Sequence, residues 1–211
     1  MYSVGRRGDE LFWGTLGQGV LRMAADGSIR RIGVDEGLGG DRIYDVVVDR
    51  EGSVWFTTNA GVSKLLSDAF EGYLVDKNVL TLARHDGAVF AGTLGGGMWQ
   101  IGSGERQSRH YAEVRQGEEV ASLDTVWSLT PQGERLWLGT AAGLAELVAG
   151  EVIAHPLEGP PEDGIYDILV VDDALWLAGI GGVCRHVPGS GRCEVIEGFP
   201  SPVSYCGVQH E

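Results

Sequence analysis

Hydrophobic and polar positions alternate along the chain in short runs that stop at glycine-bearing turns, the pattern of half-buried β-strands. One run recurs. Leu136-Trp137-Leu138-Gly139-Thr140-Ala141-Ala142-Gly143-Leu144 has four imperfect copies: LFWGTLGQGV from Leu11, VWFTTNAGV from Val54, VFAGTLGGGM from Val89 and LWLAGIGGV from Leu175. Each sets an aromatic between apolar or small residues, follows it with a Gly/Thr/Ala pair, and closes on a glycine turn. The aromatic anchors Phe12, Trp55, Phe90, Trp137 and Trp176 stand 43, 35, 47 and 39 residues apart. A repeat of roughly 40 residues made of short strands predicts propeller blades.

The prediction is therefore an all-β chain, a β-propeller of four-stranded antiparallel blades. Five full blades are expected, at about 1–38, 39–76, 77–123, 124–161 and 162–200, and 201–211 opens a sixth through Val203-Ser204-Tyr205-Cys206. The whole chain reads as one array. In blade two the order is Ile43 to Val48, a turn at Asp49-Arg50-Glu51-Gly52, Ser53 to Thr58, then Val62 to Leu66. No stretch has a helical apolar period with caps, and the GxxG spacings fall in strand-to-strand turns, which excludes a dinucleotide or phosphate loop. Glu113 to Leu123 is the longest insertion and reads as a solvated loop, with a loop specialised for contact as the alternative. The anchors Trp55, Trp137 and Trp176 read as packing between blades, since a two-faced blade buries its faces only against neighbours.

The order Gly-Leu, a polar gap, an innermost strand, Asp, a Gly turn and a Leu-Trp-Ile-Gly-Thr-like strand resembles the two-component regulator propeller repeat. Blade two carries it as Gly37-Leu38, Asp41, Ile43, Val46, Asp49, Gly52, Val54 to Thr58 and Gly61-Val62; blade four carries it from Leu136 to Leu144. The resemblance implies a non-catalytic sensor propeller of a hybrid histidine kinase, extracellular or periplasmic, that binds a carbohydrate-derived or other small ligand. Such rings usually have seven blades, so this chain is expected to be part of a longer sensor carrying a kinase module, or a short relative that closes as a five- or six-membered ring or self-associates to complete one. The stretch Asp49 to Leu65 also resembles streptogramin-lyase propellers, whose chemistry needs a histidine near a metal. No such histidine maps onto the loops here, which leaves a lyase-like enzyme as the alternative and a protein-interaction scaffold as a third reading.

Composition adjusts this picture little. The net charge of −14 argues against nucleic acid and anionic membrane as partners, and otherwise serves solubility. No apolar run is long enough to insert in a membrane, and the residues after Arg6-Arg7 do not form a signal sequence. Cys184 and Cys193 flank the turn Pro188-Gly189-Ser190-Gly191, which places His186 opposite Cys193 and Cys184 diagonally. The expectation is free, partly buried thiols, with a bond requiring a register shift. The five histidines, His85, His110, His155, His186 and His210, share no metal-ligand spacing, so neither metal nor other cofactor is expected.

Candidate ligand-binding residues lie in the loops before each innermost strand and between strands two and three: Gln18, Asp41, Arg42, Asn59, Asn78, Asp124 and Asp163. A second set shares one repeat position. Ser3, Asp45, Thr81, Ser128 and Asp167 each follow Tyr2, Tyr44, Leu80, Trp127 and Tyr166. Polar groups beside aromatic rings suit a sugar-like ligand. The alternative use is structural: Asp45 and Asp167 bonding backbone amides between blades, and Asp41, Asp124 and Asp163 forming Asx turns. Clustered Asp oxygens holding calcium is the weaker option.

Overall fold

A computed structural model of the chain describes residues 3–66, 69–102, 108–159 and 164–196. The chain divides into two compact units, Met1–Arg84 and His85–Glu211. The first unit holds two complete four-stranded sheets. One contains β1 (Ser3–Arg7), β2 (Glu10–Gly14), β3 (Val20–Met23) and β4 (Ile29–Ile32); the other β5 (Ile43–Val48), β6 (Val54–Thr58), β7 (Gly61–Leu65) and β8 (Phe70–Tyr73). Every neighbouring pair is antiparallel, and the strands follow chain order. A single 3-10 turn, Val34–Glu36, links the two sheets. The strand β9 (Val79–His85) begins the third group of four.

In the second unit β10 (Ala88–Thr93), β11 (Met98–Ile101) and β12 (Arg109–Tyr111) complete that group. The fourth and fifth groups follow: β15 (Val126–Gln132), β16 (Arg135–Thr140), β17 (Gly143–Val148) and β18 (Glu151–His155), then β19 (Ile165–Val171), β20 (Ala174–Gly179), β21 (Gly182–His186) and β22 (Cys193–Val195). These are the five expected blades. The expected opening of a sixth, at 201–211, lies outside the described residues.

The Glu113 to Leu123 insertion is not a loop. It folds as a hairpin of β13 (Glu113–Gln116) and β14 (Glu119–Ser122) about a glycine turn, Gly117 having φ 60°. The strand β13 joins β18 in parallel, so the fourth sheet has six strands in the order β14-β13-β18-β17-β16-β15. The polar look of this stretch follows from its position at the outer edge, where only Val114 and the following Leu123 are buried.

The core lies between successive sheets. In the first unit Phe12 and Val20 of the first sheet and Ile32 after them meet Ile43, Val46, Val54 and Phe56 of the second. The Phe12 and Phe56 rings stand edge to face at 6.0 Å. In the second unit Trp137 and Leu144 of the fourth sheet pack with Ile165, Ile168, Leu175 and Leu177 of the fifth. Each fully buried large side chain contributes about 1.5–3 kcal/mol. The small residue two places after the anchor has a physical reason. A methyl on Gly14 would meet Ile43 Cγ2 at 2.8 Å, and one on Gly139 would meet the Ile165 carbonyl at 2.6 Å. Glycine at this strand position lets the next innermost strand close in.

The anchors are screened by long side chains opposite them on the third strand. Arg22 pairs with Phe12 in register and Lys64 with Trp55, and their charged ends lie 5.8 and 4.8 Å from the ring centroids. The indole N–H groups of Trp55 and Trp137 donate back to the first turn of their own sheets, to Asp49 at 2.9 Å and Gln132 at 2.8 Å. Burial would raise the Asp49 carboxyl, yet this bond and the Ser53 and Glu51 amides hold it below its usual value. Trp176 is the exception among the anchors, being only half-buried.

The cysteine expectation is corrected. Cys184 and Cys193 form a disulfide across β21 and β22. The register is the expected one, His186 opposite Cys193, but no shift is required. The diagonal Cα separation is 5.6 Å, inside the range a disulfide spans. Next to this bond in the chain, His186 is 2% exposed and its Nδ1 lies 2.8 Å from the Arg192 carbonyl.

On the fourth sheet Glu146, 7% exposed, is held by His155 Nε2 at 2.9 Å and Arg135 Nε at 3.5 Å. Burial lowers the His155 pKa, with His186 and Arg135 adding to it, and the opposing pull of Glu146 does not restore it. The unfolded chain therefore takes up a proton at His155 more readily than the folded one. Stability is full above the unfolded value of 6.5 and falls as the pH drops through the lower folded value. Urea titrations between about pH 7.5 and 5 are expected to show this decline, and His155→Gln to flatten it; an unchanged slope in the variant would assign the decline to other groups.

Candidate functional site

The innermost strands start irregularly, and the irregularity falls on the residues singled out by the repeat. In β5 the register passes from Ile43↔Thr58 to Asp45↔Thr57, leaving Tyr44 as the extra residue. The same bulge leaves out Trp127 between Val126↔Thr140 and Ser128↔Gly139, and Tyr166 between Ile165↔Gly179 and Asp167↔Ala178. A bulge re-aims side chains where it occurs. Here it turns an aromatic away from the alternation in three sheets, while β1 runs without a shift from Ser3.

In the second unit two of these aromatics meet. The rings of Trp127 and Tyr166 stand 4.3 Å apart, tilted by 54°. The backbone before Tyr166 must be bare, since a Cβ on Gly164 would lie 2.5 Å from the Trp127 ring. Ser128 beside it is buried, and its Oγ has no hydrogen-bond partner among the described residues. Asp167 accepts the Ile168 amide at 2.9 Å. Thr130 Oγ1 crosses from the fourth sheet to the Ile168 carbonyl at 2.9 Å. The result is an aromatic pair flanked by a carboxylate and a buried hydroxyl.

In the first unit Asp45 binds the innermost strands together. One oxygen accepts the Ser3 hydroxyl at 3.0 Å and the Val46 amide at 2.8 Å; the other accepts the Leu82 amide at 3.3 Å. Ser3 Oγ in turn accepts the Val46 amide at 3.1 Å. The structural alternative for Asp45 is thus observed, and Tyr44 beside it is half-buried.

The loop candidates act largely through their backbones. The Asp41 carbonyl accepts the amides of Gly17 at 3.0 Å and Gly19 at 2.8 Å, which clasps the previous sheet's turn. The Asp124 carbonyl does the same for Gly97 at 2.7 Å, while its carboxylate takes the Ser122 hydroxyl at 2.7 Å. Arg42 and Asn59 exchange two 3.3 Å bonds, Asn59 N–H to the Arg42 carbonyl and Arg42 N–H to Asn59 Oδ1. Gln18 is exposed on the turn that Asp41 clasps. Asp41 Oδ1 and Asn78 Oδ1 are buried without a partner among the described residues. Asp163 and Tyr2 lie outside the described residues.

A concavity of about 310 Å³ lies elsewhere, where the inserted hairpin passes the edge strand β12. Arg109, Tyr111, Glu113, Arg115, Gly150 and Glu151 line it. Reading the insertion as a loop hid this place; its only sequence signal was the run of charges flanking Val114. Among the described residues no group of three or more His, Cys, Asp or Glu is placed to hold a metal ion. His85, His110, His155 and His186 sit on strands rather than in the candidate loops, and His210 is outside the described residues.

With this geometry in hand, comparison with known proteins places the fold among β-propellers. Residues 37–60 match the two component regulator propeller model. No curated protein is significantly similar to the chain. Among solved structures, the extracellular domain named for the hybrid two component system BT3049 of B. thetaiotaomicron superposes with a TM-score of 0.74 at 17% identity, over 97% of this chain and 29% of that one. The corresponding domain of BT4673 from the same organism gives 0.69 at 19%, over 83% and 25%. Virginiamycin B lyase from Staphylococcus aureus gives 0.70 at 15%, over 89% and 66%. The chain thus spans between a quarter and a third of the two sensor domains.

The Asp45 bonds carry a direct consequence. Asp45→Ala leaves the Leu82 amide without that acceptor and is expected to lower the unfolding free energy by about 1–3 kcal/mol in urea titration; a change within error would contradict its binding role.

Proposed function

We propose that the chain is a non-catalytic ligand-sensing β-propeller segment, part of a two-component signalling sensor, that binds a small ligand of carbohydrate type. The observation that carries this reading is the Trp127–Tyr166 pair beside Asp167 and the buried Ser128 hydroxyl. Aromatic faces take the C–H surface of a sugar ring, and a carboxylate and hydroxyl take its O–H groups. The repeat match at 37–60 and the fold shared with two sensor domains support the signalling context. In the first unit Gln18, Asp41, Arg42, Tyr44, Asn59 and Asn78 are proposed as further ligand contacts, as is Asp124 in the second. Asp163 belongs to the same proposal by its place in the repeat.

The compartment proposed is extracellular or periplasmic. The two sensor neighbours are extracellular domains, and the Cys184–Cys193 disulfide suits an oxidising environment. Partners within this proposal are the small ligand and a kinase module of a longer chain, or a further copy of the chain; nucleic acid and the membrane interior are not among them. Among the described residues no helix is long and apolar enough to cross a membrane. A second reading, a lyase-like propeller enzyme, rests on the fold shared with virginiamycin B lyase; activity abolished by a chelator would favour it.

Titration of the chain with a panel of neutral and acidic oligosaccharides, followed by tryptophan fluorescence, tests the proposal. At least one is expected to bind saturably without being turned over, and Tyr166→Ala to weaken it by about tenfold or more, the scale of one lost aromatic contact. Binding indifferent to that substitution, or turnover of a bound sugar, would refute it.

A further inference from the structure

The concavity beside the inserted hairpin is separate from the loops and bulges considered above, and the repeat does not account for it. Four charged side chains meet there, held in different ways. Arg109 is fixed. Its Nη2 donates to the Gly150 carbonyl at 2.8 Å, and its Cζ lies 4.8 Å from the Tyr111 ring centroid. A methyl on Gly150 would stand 3.2 Å from Arg109 Nη1, and the Gly150 φ of 83° is one that side chains rarely adopt. The guanidinium is therefore a flat plate seated between a buried ring and bare backbone.

Fixed as it is, Arg109 pairs with no carboxylate among the described residues, whereas Arg115 Nε already faces Glu151 at 3.4 Å. Glu113 lies on the same strand as Arg115, two residues away and on the same face, and has no cationic partner among the described residues. One pre-positioned cation and one unmatched carboxylate thus share a space of about 310 Å³. Val120, 51% exposed and opposite Arg115 in register, adds an apolar wall.

We propose that this cleft binds a small zwitterion of the free amino-acid class, its carboxylate on Arg109 and its ammonium on Glu113. A simple anion would meet Arg109 but also face Glu113 and Glu151; a simple cation would face Arg109 and Arg115. A ligand with both charges a few bonds apart meets each with its opposite. The planar guanidinium offers a carboxylate two parallel N–H bonds, which a lysine does not. The volume is at the small end of ligand pockets, and Val120 and Tyr111 leave room for a short apolar side chain. This inference goes beyond the sugar-sensing proposal and does not depend on it, since its residues are all different.

Isothermal titration calorimetry of the whole chain at low salt tests it with L-alanine and L-leucine, and with two half-ligands, N-acetyl-L-alanine and L-alaninamide. The amino acids are expected to bind saturably, and each half-ligand about tenfold or more weakly, the scale of one charge-assisted bond. Arg109→Gln should weaken the amino acids about 10- to 100-fold without weakening L-alaninamide, from which it lifts a like charge; Glu113→Gln should weaken the amino acids without weakening N-acetyl-L-alanine, for the same reason. Arg109→Lys keeps the charge and the fold and should still weaken the amino acids. No binding by either amino acid, or binding equal in the Arg109→Lys and Glu113→Gln proteins to the parent, would overturn the proposal.

Discussion

The close approach of an innermost strand to the sheet before it, β5 to the first sheet and β19 to the fourth, is the contact on which the rest of this structure depends. A four-stranded blade has two faces and buries neither by itself. Here the seam is made tight by absent side chains as much as by present ones. Gly5 faces Val46, Gly14 faces Ile43 and Gly139 faces Ile165, each at distances where a methyl group would collide. Around these gaps Phe12, Phe56 and Trp137 fill the space that remains.

That approach dictates where polar chemistry appears. Three of the innermost strands keep their first residue in the ladder and bulge at the second, an aromatic. The polar residue that follows is committed to the neighbouring strands where it is Asp45, whereas Ser128 is buried with its hydroxyl unpartnered among the described residues. The loop residues before those strands serve chiefly as clasps, since the Asp41 and Asp124 carbonyls collect the glycine amides of the preceding turn. The positions proposed above for recognition, the Trp127–Tyr166 pair and Arg109 in the cleft that the inserted hairpin creates, lie apart from these clasps.

Most of the architecture was legible in the sequence because the repeat is local. The anchors, the alternation and the glycine turns each declare a strand within a few residues, and all five blades fall where those signals stand. The misses share a cause. The bulges at Tyr44, Trp127 and Tyr166 are one-residue register shifts within a strand pair, which the alternation alone does not mark, so the repeat showed the residues but not their orientation. The β13–β14 hairpin was hidden by its polarity, which reflects an outer position and not the lack of strand structure. The Cys184–Cys193 bond turned on reach: the register was readable, but the 5.6 Å diagonal was not. Of the candidate site, the aromatic and polar repeat position was visible, whereas the Arg109 cleft needs β12, β13 and β18 brought together.

The seam is tested most directly by a double-mutant cycle on Gly5 and Val46, where a methyl on Gly5 would lie 2.6 Å from Val46 Cγ1. Gly5→Ala alone overpacks the contact and should lower the unfolding free energy by about 1–3 kcal/mol, and Val46→Ala alone should lower it by removing buried methyls. Combined, the two should cost less than their sum by about 1 kcal/mol or more, because the truncated valine makes room for the new methyl. Strict additivity, or a Gly5→Ala chain as stable as the parent, would mean that the strands do not meet here and would contradict the account.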